Sequence, residues 1–379
     1  MQSGSSVGRA PGKILWLGGY SVLERPNVSM VSAVDAYAQA SVVSMLNNEV
    51  RLSAQQLRMS AQGKVDAHGR MNVRVPSELL LLKTAAEMAC RYAAGVGARI
   101  TGISIETSTD ERFAYGISGG KVVKSGLGSS AAITVATVKA VLDLFGVDPK
   151  EHGALHKISQ AAHSVATGKV GSGFDVAASA MGSIVYTRYS PEILDGLPRN
   201  YSNDQLVHLV KSQWDYTAEK LRMPGSLRPL FATFGSSMIT TKALKSVSDF
   251  KMSDPHTYAD LMKEINFENV RALKALDEAR NAGAGALEEF IDAFDRGRSI
   301  TKKLGVLSGV EIEPDDCTKL IEESKEHGAM VAKLPGAGGM DAIAALCADS
   351  ESLESLRSFW LSRKGLRVFD LEFARSGAV

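Results

Sequence analysis

One stretch limits this 379-residue chain more than any other. "VVKSGLGSSAAITVATVKAVLDLFG", residues 122–146, sets two glycines and two serines directly against a long apolar run. Glycine lowers helix propensity and serine favours caps, so the junction predicts a helix start. A helix start points free backbone N–H groups and the positive end of the dipole outward, which suits a phosphate. Val135, Val138, Leu142 and Phe145 then share one stripe, and Gly146 ends the helix. No lysine follows the serines, so the G-x-x-x-x-G-K-[ST] phosphate loop is absent. Ser129 and Ser130 stand where a hydroxyl could meet a phosphate oxygen or a magnesium ion, and Lys124 adds charge at the same mouth. Taken alone, the loop is equally a close-packed turn.

With 45% hydrophobic residues, the chain can fill two domain cores. Its 43 basic and 42 acidic side chains leave a formal net charge of +1. That balance argues against a nucleic-acid partner, so any anion site is local. Cys90, Cys317 and Cys347 are odd in number and contain no CxxC pair. They point away from a disulfide scaffold or zinc module and toward a reducing cytoplasm. The N-terminal "MQSGSSVGRAPGK" carries no signal-peptide core, and no apolar run has the length of a membrane span. The expectation is a cytoplasmic protein, with residues 1–7 as a mobile tail.

Short apolar and alternating runs predict strands at 13–19, 36–46, 100–106 and 182–189. Helices are predicted at 76–95, with Ser77 as N-cap, and from Asp148 to about Thr167, with Glu151 in capping-box position. Leu155, Ile158, Ala162 and Val165 of the latter face a core. The polar stretch 190–229 marks the domain boundary, dividing the chain into 1–200 and 201–379. After it come a strand at 229–235, helices through roughly 240–305, and a helix, two strands, a helix and a last strand. This mixture predicts an α+β architecture rather than strict βαβ alternation.

Three further segments bear chemistry. In "RAPGKILWLGGY" (9–20), Lys13 follows a Pro-Gly bend and opens a buried strand, although a solvated strand-end lysine is the commoner case. In "GKVGSGFDVAAS" (168–179), Asp175 follows three glycines and is either a helix cap or a base or orienting group, with Lys169 and Ser172 in reach of the same space. "KLPGAGGMDAIAAL" (333–346) is a glycine loop between two strands. His152, His156 and His163 share one face of a predicted helix, but seven residues separate the last two, roughly 10 Å of rise, which one metal cannot bridge.

"APGK", "GLGSSAA" and "KLPGAGGMD" resemble, in order and spacing, the three signatures of the GHMP kinases, across nearly the whole chain. "APGKILWLGGYSVLE", Lys124 two residues before "GLGSSAA", and "AHSVATGKVGSGFDVAASAMGSIVYTRY" look most like the phosphomevalonate kinase branch. Gly18, Gly19 and Tyr20 stand where mevalonate and galactokinases usually carry "GEH". The resemblance implies an S5-like N-terminal domain, a ferredoxin-like C-terminal domain, and ATP and Mg²⁺ between them. It implies that Lys124, Gly126, Leu127, Gly128, Ser129, Ser130 and Ala131 cradle the ATP phosphates, with Ser129 or Ser130 assisting the metal. Lys13 and Asp175 would flank the attacking oxygen. Gly19, Tyr20, His163, Lys169 and Ser172 would line the substrate, and Gly336, Gly338 and Gly339 would brace it from the second domain. Ser164 stands where mevalonate kinase has a magnesium-binding glutamate, so the metal would rest more on phosphate and water. Implied is transfer from ATP to 5-phosphomevalonate, by a monomer or homodimer with no nucleic-acid or membrane partner. Mevalonate kinase, the related decarboxylase, another GHMP small-molecule kinase and a silent nucleotide-binding regulator stand as alternatives.

Overall fold

The computed structural model describes residues 4–118, 121–197, 200–234, 240–282 and 284–379. The chain opens with β1 (Ser5–Leu17), β2 (Ser29–Met45), β3 (Glu49–Ala54), β4 (Met59–Val65) and β5 (Met71–Val73), then α1 (Leu80–Gly95) and β6 (Gly102–Thr109). A hairpin of β7 (Ala114–Ser118) and β8 (Lys121–Lys124) leads into α2 (Ser129–Leu144), followed by α3 (Ala154–Thr167) and α4 (Phe174–Met181). β9 (Ile184–Thr187), α5 (Glu192–Asp195), α6 (Asn203–Lys211) and β10 (Thr217–Lys220) complete the first half. The second half runs β11 (Arg228–Thr233), α7 (Thr240–Ser253), α8 (Pro255–Ala282), α9 (Ala284–Ser308), α10 (Asp315–Glu326), β12 (Val331–Lys333), β13 (Ala342–Cys347), α11 (Ser350–Ser362) and β14 (Arg367–Asp370).

The long strand β2 organises the first sheet. It pairs antiparallel with β1 along its length and with β9 and β6 on its other edge, and the sheet continues through β3, β4 and β5. Ala36, Ala38, Ala40 and Val42 alternate on one face of β2, all fully buried, as a half-covered strand requires. Their small size lets α2 lie close, with Val135, Val138 and Leu142 buried in the same core. Gly8 sets the spacing, because a Cβ there would meet the Ala136 carbonyl oxygen at 2.3 Å.

In the second half β11, β12, β13 and β14 form an antiparallel sheet of order β12-β13-β11-β14. With helices between β11 and β12 and between β13 and β14, this is the split β-α-β order of a ferredoxin-like domain. Cys317 and Ile321 of α10 and Leu356 and Trp360 of α11 pack on this sheet, and Trp360 Nε1 donates to Ser324 Oγ at 2.9 Å. The α+β expectation is met, and the expected helical stretch is three helices, α7 to α9, with residue 283 outside the described residues.

Several local expectations are corrected. Residues 5–7 are the start of β1, paired with Val43, Val42 and Ser41, although residues 1–3 lie outside the described part. Their ladder is made by backbone, which leaves no apolar signal. Ser77 caps no helix; it begins a 3₁₀ turn and its hydroxyl donates to Glu78. The helix expected from Asp148 starts at Ala154, because His152 and Gly153 adopt positive φ of 54° and 68°. His152 therefore does not share a helix with His156 and His163, and Val165 is 51% exposed rather than in the core. Contacts also cross the expected seam at residue 200. Arg91 Nε donates to Asn203 Oδ1 at 3.1 Å and β10 pairs with β9. The strand expected at 229–235 ends at Thr233, with Gly235 outside the described residues.

Candidate active site

The site is built on the end of β1. Lys13 donates its backbone N–H to the Leu127 carbonyl at 2.8 Å, and its Nζ donates to the Gly126 carbonyl at 2.7 Å. The turn 126–128 is thus laid on the lysine from both ends. Gly128 carries φ 88° as the residue before α2, and a Cβ there would press on Lys13 Cε at 3.1 Å. A left-handed, contact-limited position of this kind selects glycine. Ser129 and Ser130 then open α2, and Lys124 Nζ donates to Ser130 Oγ at 3.1 Å. Leu127 and Ala131 are fully buried, so they can offer a ligand only backbone. Ser125 was passed over in the sequence; its buried hydroxyl has no hydrogen-bond partner among the described residues.

Across from this loop, α4 starts at Phe174 and places Asp175 in its first turn, with Gly173 at the preceding position. Asp175 is therefore not the cap; its Oδ1 accepts from the Val176 N–H at 2.9 Å. Lys13 Nζ lies 5.6 Å from the centre of the Phe174 ring. Burial lowers the Lys13 amine's pKa below the usual lysine value, and the Asp175 charge opposes that by favouring the ammonium. An amine, a carboxylate and a helix start with free N–H groups are thus gathered in one place. Lys169 is exposed beside this loop, while His163 and Ser172 are half-buried.

The second domain closes from the other side. The ring of Tyr20 is buried and its hydroxyl donates to the Ala337 carbonyl at 2.8 Å, which ties the first glycine turn to the last. Burial pushes the pKa of this hydroxyl, the expected substrate contact, up to about 12, so it stays protonated as a donor. Gly19 faces the Gly336 carbonyl, and a Cβ there would lie 3.6 Å from it. Gly338 packs on Ile312, and Gly339 donates to the Ile312 carbonyl at 2.8 Å. Lys333, unremarked in the sequence, donates from Nζ to the Trp16 carbonyl at 3.0 Å. Phe231 of β11 reaches to 4.0 Å from the Cβ position of Gly126. The 126–128 turn thus rests on Lys13 of β1, and the 336–339 turn meets the Gly19–Tyr20 turn that follows the strand.

Two family models match the chain, the GHMP kinases N terminal domain over residues 80–183 and the GHMP kinases C terminal over residues 272–365. The chain belongs to the GHMP kinase family. This GHMP kinase is 28% identical to a phosphomevalonate kinase of Candida albicans over 388 residues, covering 90% of this chain and 89% of that one. It is 33% identical to a phosphomevalonate kinase of Gibberella zeae over 284 residues, 69% of this chain and 62% of the relative. Its fold matches the solved Streptococcus pneumoniae phosphomevalonate kinase in complex with phosphomevalonate and AMPPNP, with a TM-score of 0.75 at 19% identity, covering 97% and 99% of the two chains. Among the described residues of this GHMP kinase, no helix is long and apolar enough to cross a membrane.

Proposed function

We propose that this GHMP kinase transfers the terminal phosphoryl group of ATP to 5-phosphomevalonate, giving 5-diphosphomevalonate and ADP. The observation that carries the chemistry is Lys13, whose amine rests on the glycine loop while its charge answers Asp175. The choice of acceptor rests on the likeness to named phosphomevalonate kinases over most of the chain.

The bond between the γ-phosphorus and its bridging oxygen breaks, and a phosphate oxygen of the acceptor forms the new bond. That oxygen is already ionised near neutral pH, so the protein has little deprotonation to perform. The loose transition state mainly needs charge neutralisation and in-line placement. Free N–H groups at the start of α2, with Ser129, Ser130 and Lys124, receive the nucleotide's phosphates. Lys13 bridges the transferred and acceptor groups, and Asp175 orients Lys13 or takes a proton from a monoanionic acceptor. Lys169, Ser172 and His163 face the acceptor, with the 336–339 turn closing over it beside Gly19.

A magnesium ion fits this donor set. Among the described residues no group of three His, Cys, Asp or Glu side chains could hold a metal. Hydroxyls beside a phosphate loop suit Mg²⁺, which keeps several waters and takes its remaining ligands from substrate phosphates. Ser130 already receives the Lys124 amine, so Ser129 is the better ligand of the two. Bound there, the ion would neutralise charge on the nucleotide phosphates.

The test is ADP release with ATP and, in turn, mevalonate, 5-phosphomevalonate and 5-diphosphomevalonate. Release with 5-phosphomevalonate alone, and a product heavier by one phosphoryl group, is expected. Release with mevalonate alone, or loss of CO₂ from the diphosphate, would replace this assignment with another branch of the family.

A further inference from the structure

The loop before Asp175 is held in an unusual way. Its three consecutive carbonyls, at 171, 172 and 173, each accept a hydrogen bond from a different side chain. Arg188 Nη2 donates to Gly171 O at 3.2 Å, the Tyr186 hydroxyl to Ser172 O at 3.1 Å, and Gln160 Nε2 to Gly173 O at 2.6 Å. All three donor residues are nearly or fully buried, at 6%, 0% and 3% exposure. The carbonyl oxygens are therefore turned toward the fold's interior.

Each donor is itself fixed. Arg188 Nη1 donates to the Leu23 carbonyl at 2.9 Å. Tyr186 stands on β9, in an apolar cluster with Leu15, Val31 and, from α4, Ala177 and Ala178. Gln160 Nε2 also lies 3.2 Å from His156 Nε2. Burial and the neighbouring Lys157 push the His156 pKa down to about 3, so the ring is neutral and accepts the second amide hydrogen. The Gln160 amide is thereby set with its nitrogen, not its oxygen, toward the loop. Gly173 completes the fit: its φ is 79°, and a Cβ would stand 2.6 Å from Gln160 Nε2.

We infer that Gln160, Tyr186 and Arg188 are positioning residues that draw the 171–173 carbonyls away from the cleft, so that the loop receives a doubly charged phosphate acceptor without opposing it. A carbonyl oxygen carries partial negative charge, and one freed to face the cleft would repel an anionic acceptor at close range. The same loop fixes the entry of α4 and hence the place of Asp175. Among the described residues, Gln160, Tyr186 and Arg188 make no hydrogen bond to the nucleotide loop at 126–131. The inference rests on the assignment of 168–175 to the acceptor, and it adds how the loop comes to suit an anion.

The test compares Tyr186→Phe and Gln160→Met with Thr107→Val on β6, which removes a buried hydroxyl bonded to the Ser53 carbonyl of β3. Initial rates are measured against ATP and, separately, against the acceptor the parent uses best. Loss of one such bond should raise the acceptor KM about 3- to 10-fold, the range of a single buried hydrogen bond. The ATP KM of both loop variants should stay within about twofold of the parent, and Thr107→Val should change neither constant. An unmoved acceptor KM in both loop variants overturns the inference, as does an equal rise in both KM values. Tyr186→Phe removes one oxygen and keeps the ring, so it folds where a larger change would not. If the parent prefers another acceptor, the functional assignment fails on that fact, and the split between the two KM values still decides the inference.

Discussion

At the scale of single residues, the site turns on two buried amines with different partners. Lys13 is 9% exposed, yet its Nζ has the Gly126 carbonyl and the field of Asp175. Burial lowers the pKa of this amine, and the Asp175 charge opposes that shift. Lys13→Met should lower kcat about 10²-fold or more, as loss of a preorganised electrostatic donor does, with the ATP KM changed far less. Turnover within a few-fold of the parent would remove Lys13 from the mechanism. Lys333 is the second amine, on the Trp16 carbonyl, with its pKa lowered by burial to about 8. Its folded value lies below the unfolded one, about 10.4, so between these pH values the unfolded chain holds the extra proton. Stability of the parent relative to Lys333→Met should therefore rise as pH goes from about 8 to about 10, by denaturant titration. A flat difference would mean that Lys333 keeps its proton in the fold. Lys13 was legible because it belongs to a motif. Lys333, Ser125, Tyr186 and Arg188 also lie in the quoted stretches, but their significance, like that of Gln160, rests on which carbonyl or void they meet across distant sequence.

At the scale of elements, β1 and α2 approach each other closely. Gly8 has the Ala136 carbonyl at 2.3 Å from its Cβ position, a contact with backbone that cannot rotate away. Gly8→Ala should lower stability by about 1–3 kcal/mol, as overpacking does, while Gly225→Ala, with nothing within 4 Å, should stay within about 0.5 kcal/mol. Equal denaturation midpoints for the two would contradict the packing described. The apolar stripe of α2 and the alternation of β2 could be read in the sequence because burial on one face leaves a period. The start of β1 and the kink at His152 could not. The first is held by a backbone ladder of serines and valines with no apolar period, and the second breaks a good capping pattern through the positive φ of His152 and Gly153.

At the scale of the molecule, the two sheets meet beside the glycine turns at 18–20, 126–128 and 336–339. Tyr20 on Ala337, Lys333 on Trp16 and Phe231 against Gly126 join the halves beneath the site. The tail then returns to the first sheet, with Ala374 donating to the Ala33 carbonyl at 2.9 Å and Val379 exchanging two bonds with Arg9. The order of motifs made the two-domain plan legible from the sequence. Beyond the expected seam at residue 200, α6 and β10 are polar and short yet meet Arg91 and β9 of the first unit, links that no sequence pattern carries. The proposed phosphoryl transfer requires one triphosphate to be gripped at these turns. The direct measurement is a crystal structure of the chain with a non-hydrolysable ATP analogue and 5-phosphomevalonate. The terminal phosphorus should lie between the start of α2 and Asp175, within hydrogen-bonding reach of Lys13 Nζ through its oxygens. A nucleotide bound elsewhere, with Lys13 and Asp175 remote from its phosphates, would contradict it.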